Sequence, residues 1–245
     1  MKLQDKRVLI VGGGSGIGYA VAQGCLEEGA RVVVASTDQN RVQGAAERLG
    51  KGASAARLDV TREAEVAGFF ADAEPFHHIV TTAGDRNGSW STPLHNVELD
   101  AAKRGFDVRF WGAVLLAKHG AAKLAPGGSL TLTDGMIAHK PMKGAAVSSA
   151  IAGAIEHLTR SLAVELAPVR VNAVCPGLIR SGIWDRIPED KRDAQLAAMT
   201  KHLLLPRVGT TTEAAEAYLY LLRGSYTTGQ VLYVEGGAAL TGRPV

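Results

Sequence analysis

A glycine-rich stretch, "VGGGSGIG" at residues 11–18, offers chemistry through its backbone rather than its side chains. It follows an apolar run typical of a β-strand and opens a segment with helical spacing, so the glycines would let the chain approach a phosphate closely. The N–H groups at the start of that helix would point at the anion. The pattern predicts a pyrophosphate-binding loop made of Gly12, Gly14, Ser15, Gly16, Ile17 and Gly18.

Apolar runs alternate with segments of helical spacing along the whole chain. The strand-like runs are 7–11, 31–35, 53–58, 77–81, 128–133, 169–174 and 230–234, and the helical segments are 16–28, 39–49, 62–72, 98–124, 145–166 and 212–222. Strands that are apolar throughout are typical of sheets covered on both faces. The alternation predicts an α/β fold, with residues 1–245 forming a single Rossmann-like domain around a doubly wound sheet of seven parallel strands.

Ligands of such sheets bind at the carboxyl ends of the strands, so the irregular stretches 84–97, 134–144 and 176–210 are the expected pocket walls. Within the last of these, residues 182–210 form the expected substrate lid. Its Trp184, Ile187 and Met199 indicate either an apolar cavity or core packing.

Composition and charge exclude several classes of protein. The net charge is only +3, and the 27 basic residues are scattered among 24 acidic ones, which does not favour nucleic-acid binding. The two cysteines, Cys25 and Cys175, are far apart and predict neither a disulfide framework nor a zinc site. No apolar run is long enough to span a membrane, so we expect a cytoplasmic protein without a bound metal or a membrane partner.

Five motifs follow one another in the order and spacing of the short-chain dehydrogenase/reductase family: "VGGGSGIG", "LDV" at 58–60, "TTAG" at 81–84, "RVNAVCPGLIRS" at 170–181 and "VEGG" at 234–237. The chain resembles that family from residue 7 to about residue 240. The resemblance implies a nicotinamide dinucleotide cofactor, with Gly12, Gly16 and Gly18 in the phosphate loop. It places Asp59 and Val60 at the adenine, Ala83 and Gly84 at the adenine ribose, and Pro176, Gly177, Ile179 and Ser181 along the nicotinamide.

The end of the second strand-like run bears on the choice between NAD and NADP. An NAD site places a carboxylate there for the ribose 2′-hydroxyl, whereas this chain has Ser36 and Thr37. The missing carboxylate favours NADP, with Arg41 as the partner of the 2′-phosphate. Asp38 keeps NAD open, although it is equally well placed to cap a helix beginning at Gln39. Ser15, where NADP-preferring relatives often carry arginine, also keeps NAD open.

The resemblance also implies a catalytic tetrad, which this chain does not carry in the usual form. The family's general acid is a tyrosine with a lysine one helical turn later, assisted by a serine and an asparagine. The matching positions hold Val147, Ile151, Asp134 and Arg109, with Gly135 at the serine position if the loop is one residue shorter. The five tyrosines are followed four residues later by Gln23, Leu222, Gly224, Gln230 and Gly237, so the chain contains no Tyr-x-x-x-Lys.

Three functions are consistent with this pattern. The first is a cofactor-binding protein without the family's ordinary activity, acting as a sensor, a regulatory subunit or a partner subunit. The alternative is an active NAD(P)H-dependent reductase of a small molecule whose proton donor has moved to His139, Lys140, Lys143 or Asp134. The third is a scaffold that no longer binds the dinucleotide.

Two further expectations concern charge pairing and assembly. Asp134 and Arg109 would form an ion pair in the former catalytic space, and Arg109 would then lower the pKa of Asp134. The helical segments 98–124 and 145–166 are rich in alanine and glycine. In the family the corresponding helices form a four-helix interface, which implies a homodimer or a homotetramer.

Overall fold

A computed structural model describes residues 2–84 and 92–241. Its strands are β1 (Arg7–Val11), β2 (Arg31–Ser36), β3 (Ala53–Arg57), β4 (Phe76–Thr81), β5 (Leu124–Thr133), β6 (Arg170–Pro176), β7 (Ile179–Arg180), β8 (Gly209–Thr210) and β9 (Val231–Val234). Its α-helices are α1 (Gly16–Glu27), α2 (Gln39–Leu49), α3 (Glu63–Asp72), α4 (Leu99–Phe106), α5 (Gly112–Gly120), α6 (Ala146–Glu165), α7 (Glu189–Thr200) and α8 (Thr211–Arg223). None of the helices in these two ranges is long and apolar enough to cross a membrane.

The main sheet contains seven parallel strands in the order β3-β2-β1-β4-β5-β6-β9, which confirms the predicted fold class. The order reverses between β1 and β4, and this topological switch point is where doubly wound sheets open a crevice for a ligand. The remaining strands, β7 and β8, form a separate parallel pair.

Apolar side chains pack on both faces of the main sheet. Along β1, Val8 and Ile10 point to the face covered by α1, α2 and α8, whereas Leu9 and Val11 point to the face covered by α3, α5 and α6. Because successive side chains of a strand point to opposite faces, a strand that is buried on both sides is mostly apolar, as β1 and β2 are. The polar side chains that other strands bury find partners, as His78 of β4 and Ser129 of β5 do in each other, at 2.8 Å.

Two predicted elements differ from the structure. The segment 98–124 is a helix interrupted by a π turn at Asp107–Trp111, between α4 and α5. The stretch 176–210 was expected to be irregular, but it contains helix α7, whose mostly polar sequence carries few apolar positions to mark a helical period. Part of the expected pocket wall at 84–97, residues 85–91, lies outside the described residues.

Candidate active site

The glycine loop joins β1 to α1 at the switch point. Gly12 has a φ of +86°, and a Cβ at this position would lie 2.7 Å from the backbone nitrogen of Ala83. A Cβ at Gly18 would lie 2.5 Å from the carbonyl oxygen of Gly12. Side chains are therefore excluded at both positions, and the loop is held tightly against the end of β4.

The N-terminus of α1 is open to an anion. Ser15 is the N-cap residue but makes no side-chain capping hydrogen bond, and the first turn contains no acidic residue. The first N–H groups of the helix therefore lack a side-chain acceptor, and the positive end of the helix dipole lies at the crevice. A Cβ on Gly16 would lie 3.5 Å from the Cβ of Ser181, so the segment after β6 forms the opposite wall. These features fit the pyrophosphate of a dinucleotide.

The end of β2 positions a cation beside this loop. Asp38 caps α2, because its Oδ1 accepts a hydrogen bond of 3.0 Å from the backbone N–H of Arg41. Its other oxygen, Oδ2, lies 3.3 Å from Nη2 of Arg41. The stem of Arg41 runs over the glycine loop, 3.1 Å from where a Cβ of Gly14 would lie. Ser36 binds the backbone of Asp38 through its hydroxyl, and Thr37 follows it.

The other predicted cofactor residues lie at the carboxyl ends of neighbouring strands. Asp59 follows β3 and accepts hydrogen bonds from Thr61, at 3.0 Å from the backbone nitrogen and 2.7 Å from the hydroxyl. Val60 is buried against Gly112 of α5. The remaining members of the set lie after β4 and from the end of β6 through β7; they are Ala83, Gly84, Pro176, Gly177, Ile179 and Ser181. The fold thus brings the predicted set to one edge of the sheet.

The positions implied for the family's tyrosine and lysine form an apolar surface on α6. Ile151 is buried, and its Cδ1 would lie 3.1 Å from a Cβ on Gly105 of α4. Val147 lines a surface groove between the two helices with Phe106 and Ala150. Neither side chain can give or accept a proton, and both face the neighbouring helix.

The expected ion pair between Asp134 and Arg109 is wrong. Neither carboxyl oxygen of Asp134 accepts a hydrogen bond of normal geometry. Arg109 lies on the π turn, and its Nη2 would be 3.0 Å from a Cβ on Gly84, at the end of β4. The two side chains do not pair, because the carboxyl of Asp134 is buried beside Glu156 of α6, whereas the guanidinium of Arg109 lies beside Gly84.

Asp134 follows directly after β5, and its side chain continues the alternation of the strand's side chains between the two faces of the sheet. The preceding residue, Thr133, points to α8, where its Oγ1 lies 2.7 Å from the hydroxyl of Tyr218. Asp134 therefore points to the other face, where α6 presents Glu156. Its backbone N–H still donates to the carbonyl of Val174 in β6, at 2.9 Å, so the sheet fixes the position of the side chain.

Four side chains form a cluster that we call the acid network. They are Asp134 after β5, His139 in the following loop, Glu156 on α6 and Tyr233 on β9. One ligand-type atom from each of Asp134, His139 and Glu156 lies within 4.8 Å of the others. Nε2 of His139 forms a short hydrogen bond with Oε1 of Glu156 and lies 2.8 Å from the hydroxyl of Tyr233.

Burial gives the two carboxyl groups of the acid network opposite protonation states. Burial of Asp134, followed by its hydrogen bond with Glu156, raises the pKa of Asp134 to about 8. Burial also disfavours ionisation of Glu156, but hydrogen bonds from Asp134 and His139 outweigh it and hold the pKa of Glu156 below its ordinary value. Two adjacent buried carboxyl groups cannot both ionise readily, so Asp134 retains a proton that Glu156 accepts.

Sequence reasoning identified two members of the acid network, Asp134 and His139, and missed Glu156 and Tyr233. Glu156 lies on the apolar face of α6, between the buried residues Ile155 and Thr159. A carboxylate at such a position requires a buried partner, and this was the available signal. Of the other proposed donors, Lys140 donates to the backbone carbonyl of Thr241, and Lys143 is exposed on the loop.

The expected lid begins and ends at one short pair of strands. Residues 182–208 leave from β7 and return to β8, which pairs Ile179 with Gly209 and Arg180 with Thr210. Beyond β8, Thr210 and Glu213 form a capping box at the start of α8. Nη1 and Nη2 of Arg207 each donate a hydrogen bond to the carboxylate of the same Glu213, at 2.9 and 2.6 Å.

Comparisons with known proteins give a consistent result. Residues 12–239 match the model of the family described as enoyl-(acyl carrier protein) reductase. The chain is 34% identical to the short-chain dehydrogenase/reductase ucsE of Acremonium sp, over 98% of this chain and 97% of that protein.

Two solved structures are similar to the whole chain. One is a small-chain dehydrogenase in complex with NADPH, with 36% identity, a TM-score of 0.80 and coverage of 97% of this chain and 100% of that one. The other is a short chain oxidoreductase from Pseudomonas aeruginosa PAO1 described as containing an atypical catalytic center. It shows 27% identity, a TM-score of 0.88 and coverage of 96% and 97%.

Proposed function

Because this chain belongs to the short-chain dehydrogenase/reductase family of NAD(P)-dependent oxidoreductases, we propose that it is an active NADPH-dependent reductase whose proton donor is Asp134. The single observation that carries the proposal is the buried carboxyl of Asp134. As a carboxylate, it would be buried beside the carboxylate of Glu156, and the backbone of Gly135 and the thiol of Cys175 would compensate its charge only in part; as a carboxylic acid, it can donate to Glu156.

The chemistry divides between cofactor and protein. When bound, the reduced nicotinamide supplies a hydride to an unsaturated carbon. Asp134 supplies the proton that the developing oxyanion or amide anion takes up, since its raised pKa keeps it protonated at neutral pH. The end of β5 fixes this carboxyl at the same edge of the sheet as the glycine loop and the segment after β6. The substrate class is a carbonyl or imine compound.

The test is a comparison of wild type with Asp134→Asn. The assay follows NADPH oxidation with a panel of ketones and imines. Asparagine keeps the size of the side chain but cannot release a proton at neutral pH, so turnover should fall by about 10²- to 10⁴-fold. NADPH affinity, measured by calorimetry, should stay the same. Full turnover in this variant would place the proton donor elsewhere.

The second candidate function is a cofactor-binding subunit without turnover. It is favoured by Val147 and Ile151, which leave α6 without a titratable group at the positions implied for the tyrosine and lysine. The same calorimetry and substrate panel separate the two functions: tight NADPH binding with no oxidation by any substrate would support the subunit. The solved relative with an atypical catalytic center supports the enzyme instead.

The proposal includes NADPH rather than NADH. Ser36 and Thr37 bring no carboxylate to the end of β2, and Arg41 lies over the glycine loop within reach of a 2′-phosphate. Asp38 is engaged as the cap of α2, which leaves it poorly placed for a ribose hydroxyl. The similar structure in complex with NADPH supports the same choice.

The proposal also includes a homo-oligomer. Large apolar side chains are exposed on α4, on the π turn and on α6, at Leu99 (65% exposed), Trp111 (54%) and Val164 (82%). The groove between α4 and α6 is lined almost entirely by apolar atoms. Surfaces of this kind are typical of contacts between subunits.

A further inference from the structure

The acid network connects the most buried carboxyl group of the site to solvent. Asp134 is 1% exposed, so water has almost no direct access to its proton. The side chain of Glu156 is 8% exposed and that of His139 is 35% exposed. Exposure therefore rises along the path from Asp134 through Glu156 to His139, and the hydroxyl of Tyr233 contacts the outer end of the path.

Every contact along this path joins groups that can exchange a proton. Asp134 faces Glu156, and Oε1 of Glu156 is hydrogen-bonded to Nε2 of His139. The hydroxyl of Tyr233 lies 2.8 Å from that nitrogen and 3.5 Å from Oε1 of Glu156. This nitrogen is already engaged twice, so we interpret the cluster as a hydrogen-bonded chain rather than a set of metal ligands.

Other polar and charged groups around the path hold it in place but do not carry the proton. Nη2 of Arg160 lies 3.4 Å from Oε2 of Glu156, the oxygen that His139 does not contact. The thiol of Cys175 lies beside Asp134, and burial raises its pKa, so it remains protonated. Arg160 thus orients Glu156, and Cys175 closes the inner end of the path.

We propose that Glu156 and His139, assisted by Tyr233, form a proton relay that returns a proton from solvent to Asp134 after each reduction. The proposal rests on the proposed function, since it assigns no role to the relay unless Asp134 gives up its proton. Glu156 and His139 act through Asp134 and are not themselves in contact with the reacting atoms.

The steps conserve atoms and charge. Asp134 gives its proton to the reduced substrate and becomes a carboxylate beside the carboxylate of Glu156. His139 then passes its Nε2 proton to Oε1 of Glu156 while its Nδ1 takes up a proton from solvent, and Glu156 passes a proton to Asp134. One proton has then moved from solvent to Asp134, and no electrons move in these steps.

The relay can be tested without a substrate, by the exchange of the Asp134 proton with D₂O. Rapid mixing into D₂O, followed by infrared spectroscopy, records the shift of the carboxylic acid C=O band as COOH becomes COOD. Loss of the band in Asp134→Asn assigns it. We expect His139→Asn to keep the band but to slow its exchange at least tenfold, and free imidazole to restore the rate.

A matched control is His119→Asn, because His119 also pairs with a glutamate, Glu63, at 3.1 Å. This variant should exchange at the wild-type rate. Glu156→Gln should slow exchange as His139→Asn does, but imidazole should not rescue it, because the missing group lies inside the path.

Two results would overturn the relay, and they have different meanings. Wild-type exchange rates in both His139→Asn and Glu156→Gln would show that solvent reaches Asp134 by another route, and the proton donor would stand. Absence of the carboxylic acid band in the wild type at neutral pH would remove the protonated donor, and with it both the relay and the proposed mechanism.

Discussion

Replacing Asp134 by asparagine should stabilise the protein while slowing the proposed reduction. In the unfolded chain this carboxyl has its ordinary pKa of 3.8, whereas in the folded chain burial and Glu156 raise the pKa to about 8. At pH 7 the unfolded form has released the proton and the folded form keeps it. Each pH unit above 3.8 therefore costs the folded state about 1.4 kcal/mol, or about 4 kcal/mol at pH 7.

The sign of this effect defines the pH window. The group's contribution to stability is fully present below pH 3.8, is lost progressively as the pH rises toward 8, and changes no further above it. Asparagine does not titrate and can still donate to Glu156. The free energy of unfolding of Asp134→Asn should therefore exceed that of wild type by about 4 kcal/mol at pH 7, and the two should converge near pH 4.

The assay is urea unfolding of both proteins at several pH values between 4 and 9. Asp100→Asn is the matched control, because the side chain of Asp100 is 84% exposed and should give no pH-dependent difference from wild type. A variant at position 134 that is less stable than wild type at pH 7, or a difference that does not change with pH, would refute a protonated buried carboxyl.

Four further predictions concern the cofactor and the assembly. Arg41→Ala should weaken NADPH binding about tenfold with little effect on NADH binding. Asp38→Asn should strengthen NADPH binding, because asparagine still caps α2 but no longer neutralises Arg41. Calorimetry with both cofactors checks each variant, and an equal loss of NADH affinity in Arg41→Ala would contradict a contact with the 2′-phosphate. Gly18→Ala should abolish binding of both cofactors, since its Cβ would lie 2.5 Å from the backbone of the glycine loop, and retained affinity in calorimetry would show that the loop can relax. Val164→Asp should convert the oligomer to a monomer in light scattering. Tyr220→Asp, at an exposed side chain of α8 on the other face of the main sheet, should leave the mass unchanged. A monomeric wild type would contradict the predicted interface.

The fold was predictable because the sheet is buried on both faces. Its strands are then mostly apolar on both faces, as in "RVLIV" and "RVVVA", and such runs are visible without any structure. Helix α7 was not predictable in the same way. Its few apolar residues include Leu196, which is buried, and a single buried leucine sets no period.

The place of the expected cofactor residues in the fold was predictable for a related reason. Glycines act through their backbone, and the position of the backbone follows from the order of strands and helices. The partners of Asp134 were not predictable from spacing, because they come from distant parts of the chain. Asp134 meets Glu156 only because β5 alternates, and it lies near Tyr233 only because β6 and β9 pair Cys175 with Tyr233.

The short strand pair β7–β8 fixes both ends of the segment 182–208. Arg207 and Glu213 fasten its returning end to α8, and the backbone N–H of Leu205 donates to the carbonyl of Gly236, after β9. The part before residues 203–205, which contact Gly236 and Gly237, can change in length and sequence without altering the sheet, since loop closure becomes only slowly less favourable as a loop grows. We therefore expect residues 182–202, most of the predicted lid, to be exchangeable between relatives as a unit. In such chimeras substrate preference should follow the transplanted segment, while cofactor choice and the protonation of the buried carboxyl should stay with the recipient.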